Sequence, residues 1–124
     1  MRSRGNTEED YLLRVIKQAA DAIRLLRHRL MGTTSSIDGV RAGAATAIGA
    51  LLGPRASLID KLDASSAAQL VGHPDTVDLW ADLLEVDAEA AERDGDVSGA
   101  ALERQRVREL RAAVIAIWGP RQDP

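Results

Sequence analysis

The sequence predicts an all-α fold: a small single domain over residues 1–124, a bundle of about five helices ending in a long antiparallel helical hairpin. Three observations predict it. The apolar residues recur at helical spacing in four segments, alanine and leucine dominate them, and each segment is bounded by helix-type start and stop residues. There are 21 alanines and 15 leucines, no phenylalanine, and Tyr11, Trp80 and Trp118 are the aromatics. Alanine and leucine are strong helix formers, whereas strands favour β-branched and aromatic side chains. Such thin side chains bury little apolar area each, so a second copy would help the chain reach sufficient burial.

The first helix is expected over about 8–31. Thr7 is a suitable N-cap, Glu8, Glu9 and Asp10 suit the first turn, and Gly32 is a stop. Leu12, Ile16, Ala19, Ile23, Leu26 and Leu30 recur at spacings of four and three, a seam for a packed partner. Arg14, Lys17, Asp21, Arg24 and His28 follow the same rhythm on the opposite side. Thr33 to Ser36 form a polar connector that supplies caps to the next helix.

The stretch GVRAGAATAIGALLG (Gly39 to Gly53) lacks the Gly-Lys-Ser/Thr ending of a phosphate loop, and its uncharged run from Ala42 to Pro54 is too short for a bilayer. Ile37, Val40, Ala44, Ile48 and Leu51 instead predict a helix over about 37–52. Gly39, Gly43 and Ala47 on a neighbouring face would let another helix approach closely. Short helices over about 57–71 follow, with Asp63 as a cap and Gly72 as a stop; Pro74 suits the first turn of the next helix.

The hairpin occupies about 75–118, two helices joined at Gly95-Asp96. On the first, Val77, Trp80, Ala81, Leu84, Ala88 and Ala91 form one apolar face, and Leu79, Leu83, Val86 and Ala90 a second, nearly opposite. Asp78, Asp82, Glu85, Glu89 and Glu92 make an acidic stripe between them, for which Arg104, Arg106, Arg108 and Arg111 are candidate partners. One neighbour cannot cover both apolar faces. The second helix has a seam of Ala100, Val107, Leu110, Val114 and Ile117, widened by Ile115 and Trp118.

With Ala88, Gly95, Val97 and Ala100 so placed, the pair resembles a single tetratricopeptide-type hairpin. Arg104 stands where that repeat has an aromatic, and one copy alone makes no groove of stacked repeats. Together with Asp10 to Gln18 and Leu51-Leu52-Gly53, the hairpin also resembles a small bacterial all-helical family of unknown function. That resemblance implies a helical fold and no catalytic residue.

Chemistry has few handholds. Cysteine is absent, which fits a cytoplasmic setting, and MRSRGNTEED is not a secretory signal. His28 and His73 lie far apart, the acidic stripe lacks an EF-hand loop and a Glu-x-x-His pair, and no serine sits in a nucleophile elbow. The expectation is therefore a non-enzymatic, soluble protein without catalytic residues, metal or cofactor. Its function is expected to be protein–protein interaction, with itself as a homodimer or with another protein, through Leu79, Leu83, Val86, Ile115 and Trp118. The second reading is a nucleic-acid-associated regulator with an anion-binding row of Arg14, Lys17, Arg24, Arg27 and Arg29. Residues 1–31 carry seven basic and four acidic side chains, although no aromatics interleave them.

Overall fold

The computed structural model describes residues 4–32 and 36–121, the first four of them by backbone alone. Their order is α1 (Arg4–Met31), α2 (Ile37–Leu52), a 3₁₀ turn (Gly53–Arg55), α3 (Ala56–Asp60), α4 (Ala64–Val71), α5 (Pro74–Arg93) and α6 (Val97–Trp118), with no strand among the described residues. The fold is all-α, as the composition predicts.

Most boundaries follow from caps. Ser36 accepts from the Gly39 N–H at 3.2 Å and starts α2. Asp63 accepts from the Ser66 N–H and starts α4, and that hydrogen bonding holds its carboxyl below the ordinary range. Asp96 accepts from the Gly99 N–H at 2.9 Å and starts α6. Gly95 takes φ 89° in the three-residue link, a left-handed backbone that favours glycine, and it reverses the chain between α5 and α6.

One boundary departs from expectation. α1 starts at Arg4, so Thr7 lies inside its helical backbone instead of capping it. No proline precedes Thr7 to stop the extra turn. Thr33 to Ser35 of the expected connector lie outside the described residues, as does the Thr7 side chain. The short helices expected over 57–71 stand as α3 and α4 on either side of Asp63, with Gly72 as the stop, and a 3₁₀ turn precedes them.

α5 is the centre of the packing. It lies against α6 on one side and against α2 and α1 on the other, while α4 packs on α6. At the hairpin end Ala88, Ala91 and Ala100 meet as a cluster of their own, where small side chains let the two helices close up. The second face of α5 joins the main core. Leu83 is 0% exposed and Val86 2%, in one cluster with Leu26, Leu30, Val40 and Ala44, and the half-buried Leu79 packs against it. This corrects the sequence reading of Leu79, Leu83 and Val86 as an interface: Leu83 and Val86 are covered within one chain, and Leu79 in part, with α1 and α2 folding back onto the hairpin. Of the two remaining interface candidates, Trp118 is half-buried against the core and Ile115 is 53% exposed.

The α1 seam closes only in part. Ala19, Ile23, Leu26 and Leu30 are buried, but Leu12 and Ile16 stay half-exposed, because α1 has 28 residues and α2, its chief neighbour, has 16. Where the helices cross, a Cβ at Gly43 would stand 2.8 Å from Leu26 Cδ2. Gly43 is thus the close-approach residue that its spacing suggests. Gly39 meets only its own cap residue, Ser36.

Leu83→Ala should lower the unfolding free energy by about 3 kcal/mol through loss of burial and a residual cavity. Ile115→Ala should change it by less than ~0.5 kcal/mol. Urea unfolding of both variants checks the assignment of one residue to the core and the other to the surface; similar effects would contradict it.

Candidate functional site

Three arrangements of side chains stand out once the chain is folded. The first is apolar. A groove of about 320 Å³ runs between α1 and α2, lined by Val15, Gln18, Ala19 and Ala22 on one side and Gly43, Thr46, Ala47 and Ala50 on the other, with Leu51 at its end. No residue of α5 lines it, so it faces away from the hairpin. On its rim Tyr11 is 64% and Leu25 52% exposed; helical spacing puts both on the flank of α1 that carries Val15 and Ala22. Ala42, Ala45, Thr46, Gly49 and Ala50 leave the outer side of α2 exposed and uncharged. Only 17% of the most apolar window within Ile37–Asp60 is buried. By length and composition that stretch would pass for a membrane span, although α2 itself ends at Leu52, where Gly53 turns to φ 75°.

The second arrangement is polar. Arg41, the lone cation of α2, reaches across to α5, where its Nε donates to Asp87 Oδ1 at 3.1 Å. Its other nitrogens lie 3.8 Å from Asp96 and 4.0 Å from Glu103. One guanidinium thus ties α2 to both arms of the hairpin and its turn. The hydrogen bond to Asp87 and the attraction of that carboxylate raise Arg41 further above its ordinary value. Three carboxylates share one cation, and the imbalance falls on Glu103. Burial, then the hydrogen bond and charge of Asp87, push its pKa up to about 8. The sequence carries one hint of this cluster: a single charged residue in the body of an otherwise small and apolar helix wants a partner.

The third is the row of arginines on α6. Arg104 donates to Glu92 at 2.6 Å and lies 3.6 Å from Glu85, and Arg111 donates to Asp82 at 2.8 Å. Arg121 pairs with Asp75 and Asp78, and Arg93 with Glu89 at 3.1 Å. The acidic stripe is therefore matched by cations along most of its length, as its spacing suggests. Arg106 and Arg108 depart from that expectation. Arg106 donates to the carbonyls of Leu62 (2.7 Å), Ile59 (3.3 Å) and Asp60 (3.4 Å), and its guanidinium lies 5.2 Å from the centre of the Trp80 ring. It closes the C-terminal end of α3 with charge-assisted hydrogen bonds and packs on the largest core side chain. Arg108 is exposed and joins none of the acidic stripe.

The anion-binding row on α1 does not converge. Lys17 and Arg24 both pair with Asp21. Arg14, Arg27 and Arg29 are exposed, but at ~100° per residue Arg27 and Arg29 project from nearly opposite flanks of α1. His28 is exposed; His73 takes the N-cap position of α5 without capping it through its side chain.

No family model, curated protein or solved structure matches this chain. The hairpin stands as a helical hairpin, and its likeness to the tetratricopeptide repeat rests on the residues named above.

The raised Glu103 value has a consequence for stability. A carboxyl whose folded value, about 8, exceeds its ordinary 4.5 favours folding fully below pH ~4.5, and that contribution is lost as pH rises through 8. Glu103→Gln should therefore gain on the wild type as pH goes from about 5 to 8.5. Thermal melts of the two proteins across that range check it; a melting-temperature difference independent of pH would contradict it.

Proposed function

We propose that the protein is a non-enzymatic helical interaction module that self-associates as a homodimer through the outer face of α1 and α2. One observation carries this reading: the least charged of the four long helices is also the one whose outer side is left exposed, beside an apolar groove rimmed by Tyr11 and Leu25. The surplus apolar surface expected on α5 is absent there, and the same physical argument moves to α2. Small residues along the groove permit close helix approach, and the large rim residues of one copy have small-residue hollows to enter on the other. A two-fold axis makes such a face its own complement.

The dimensions support a second copy as the occupant. α1 is roughly 42 Å long and α2 roughly 24 Å, and the two side by side are about 20 Å across, an outline on the order of 650 Å². Stable interfaces cover ~600–1,000 Å² per partner. The outer side of α2 from Ala42 to Leu52 offers no charge with which to choose a charged partner. The nucleic-acid reading has less support, because two of its five cations are paired and the rest diverge.

Light scattering at about 50 µM should give twice the chain mass for the wild type, a weakening of at least tenfold for Ala50→Arg, and no change for Ile115→Arg. A monomeric wild type would sink the proposal, and so would flotation of a monomer with lipid vesicles, which would make the same face a membrane surface. Loss of the dimer in Ile115→Arg but not in Ala50→Arg would move the interface to the end of α6.

A further inference from the structure

α1 carries two heptad-spaced seams, and the fold uses one of them. Leu12, Ile16, Ala19, Ile23, Leu26 and Leu30 turn towards α2 and α5, where the last four are buried. One residue back along the chain, Tyr11, Val15, Gln18, Ala22 and Leu25 follow at spacings of four, three, four and three. None of these five is buried. Tyr11 is 64% and Leu25 52% exposed, and Val15, Gln18 and Ala22 line the groove beside α2. A seven-residue repeat of this kind is the pattern by which one helix packs along another over several turns.

Size and charge along this second seam select its occupant and its direction. Tyr11 is large, whereas Ala22 is small and shares its end of the groove with Gly43, which has no side chain. An antiparallel second α1 lays Tyr11 on the partner's Ala22 and Val15 beside the partner's Gln18, each contact made twice about a two-fold axis. A parallel one would set Tyr11 against the partner's Tyr11 and leave the two Ala22 hollows facing each other. Arg14 and Asp21, seven residues apart, share one flank of the seam. Arg14 is exposed and joins no ion pair among the described residues; Asp21 is half-exposed, with Lys17 at 3.4 Å and Arg24 as neighbours on its own helix. In an antiparallel pair residues on this flank face each other, so Arg14 meets the partner's Asp21 on both sides of the axis.

We propose that the dimer is built on an antiparallel pair of α1 helices, one from each copy, packed along Tyr11, Val15, Gln18, Ala22 and Leu25 and oriented by reciprocal Arg14–Asp21 contacts. This rests on the dimer reading above and specifies which helices meet and in which direction. Gln18, the polar member of the seam, lies next to the axis. A polar side chain at such a position fixes register at some cost in affinity.

Light scattering and a spin-label distance on the full chain test it together. A nitroxide on His28→Cys is selective, because the chain has no other cysteine, and it sits on the flank of Arg14 and Asp21 beyond the end of the seam. At ~1.5 Å per residue the two labels of an antiparallel pair stand roughly 35 Å apart along the helices, whereas a parallel pair has no such offset. Arg14→Glu sets like charges together at both contacts and should weaken the dimer about tenfold. Arg108→Glu, the same change at an exposed residue of α6, should alter it by less than about twofold. A wild-type monomer would remove the dimer reading and this proposal together. A dimer weakened by Ala50→Arg but showing the short label distance, or indifferent to Arg14→Glu, would overturn the antiparallel α1 pair alone and leave the outer face as the interface.

Discussion

Covering α5 is the constraint on which the rest of this molecule depends. Apolar residues occupy more than half of its circumference, from Leu79, Leu83 and Val86 round to Val77, Trp80 and Ala81, and the acidic stripe takes the remainder. α6 follows through a three-residue link and can cover one side only. The other side brings α1 and α2, distant in sequence, back onto the hairpin. Hydrophobic burial holds this arrangement together, and α5 contributes more buried residues to it than any other helix.

Arginines then fix what burial brings together. Arg41 holds α2 to Asp87, Asp96 and Glu103; Arg93 donates to the Leu30 carbonyl at the end of α1; Arg106 closes α3 while lying over Trp80. Each joins segments more than 40 residues apart. Such bonds add direction to a core of alanine, valine and leucine, whose packing alone distinguishes poorly between neighbouring registers. A guanidinium can do this because it is planar, always charged, and presents several donors at once to carbonyls or carboxylates.

The same shortage of chain explains where surface is left over. Once α1 and α2 have covered α5, the outer side of α2 is left exposed among the described residues. α2 is mostly small residues, so its outer side is apolar without being bulky, and its exposure costs less than that of a leucine-rich helix. That gives a face tolerable in a monomer and usable in an assembly.

Helix class, nearly every boundary and the pairing of the acidic stripe with Arg104 and Arg111 were legible in the sequence. They depend on neighbours a few residues apart or on two helices joined by a tight link. Ser36, Asp63, Gly95 and Asp96 act through bonds to residues within three or four positions, and the apolar spacing of α5 states which faces must be buried. What buries them is not written locally. Leu83 and Val86 look alike in sequence whether α2 or a second protomer covers them, and α1 and α2 decide the matter across some 40 residues of chain. Arg41 and Arg106 likewise acquire meaning only when distant segments meet. Local geometry is set by short-range sterics and hydrogen bonds that a sequence carries in order, whereas partnership is set by shape and burial among segments whose meeting only the folded chain decides.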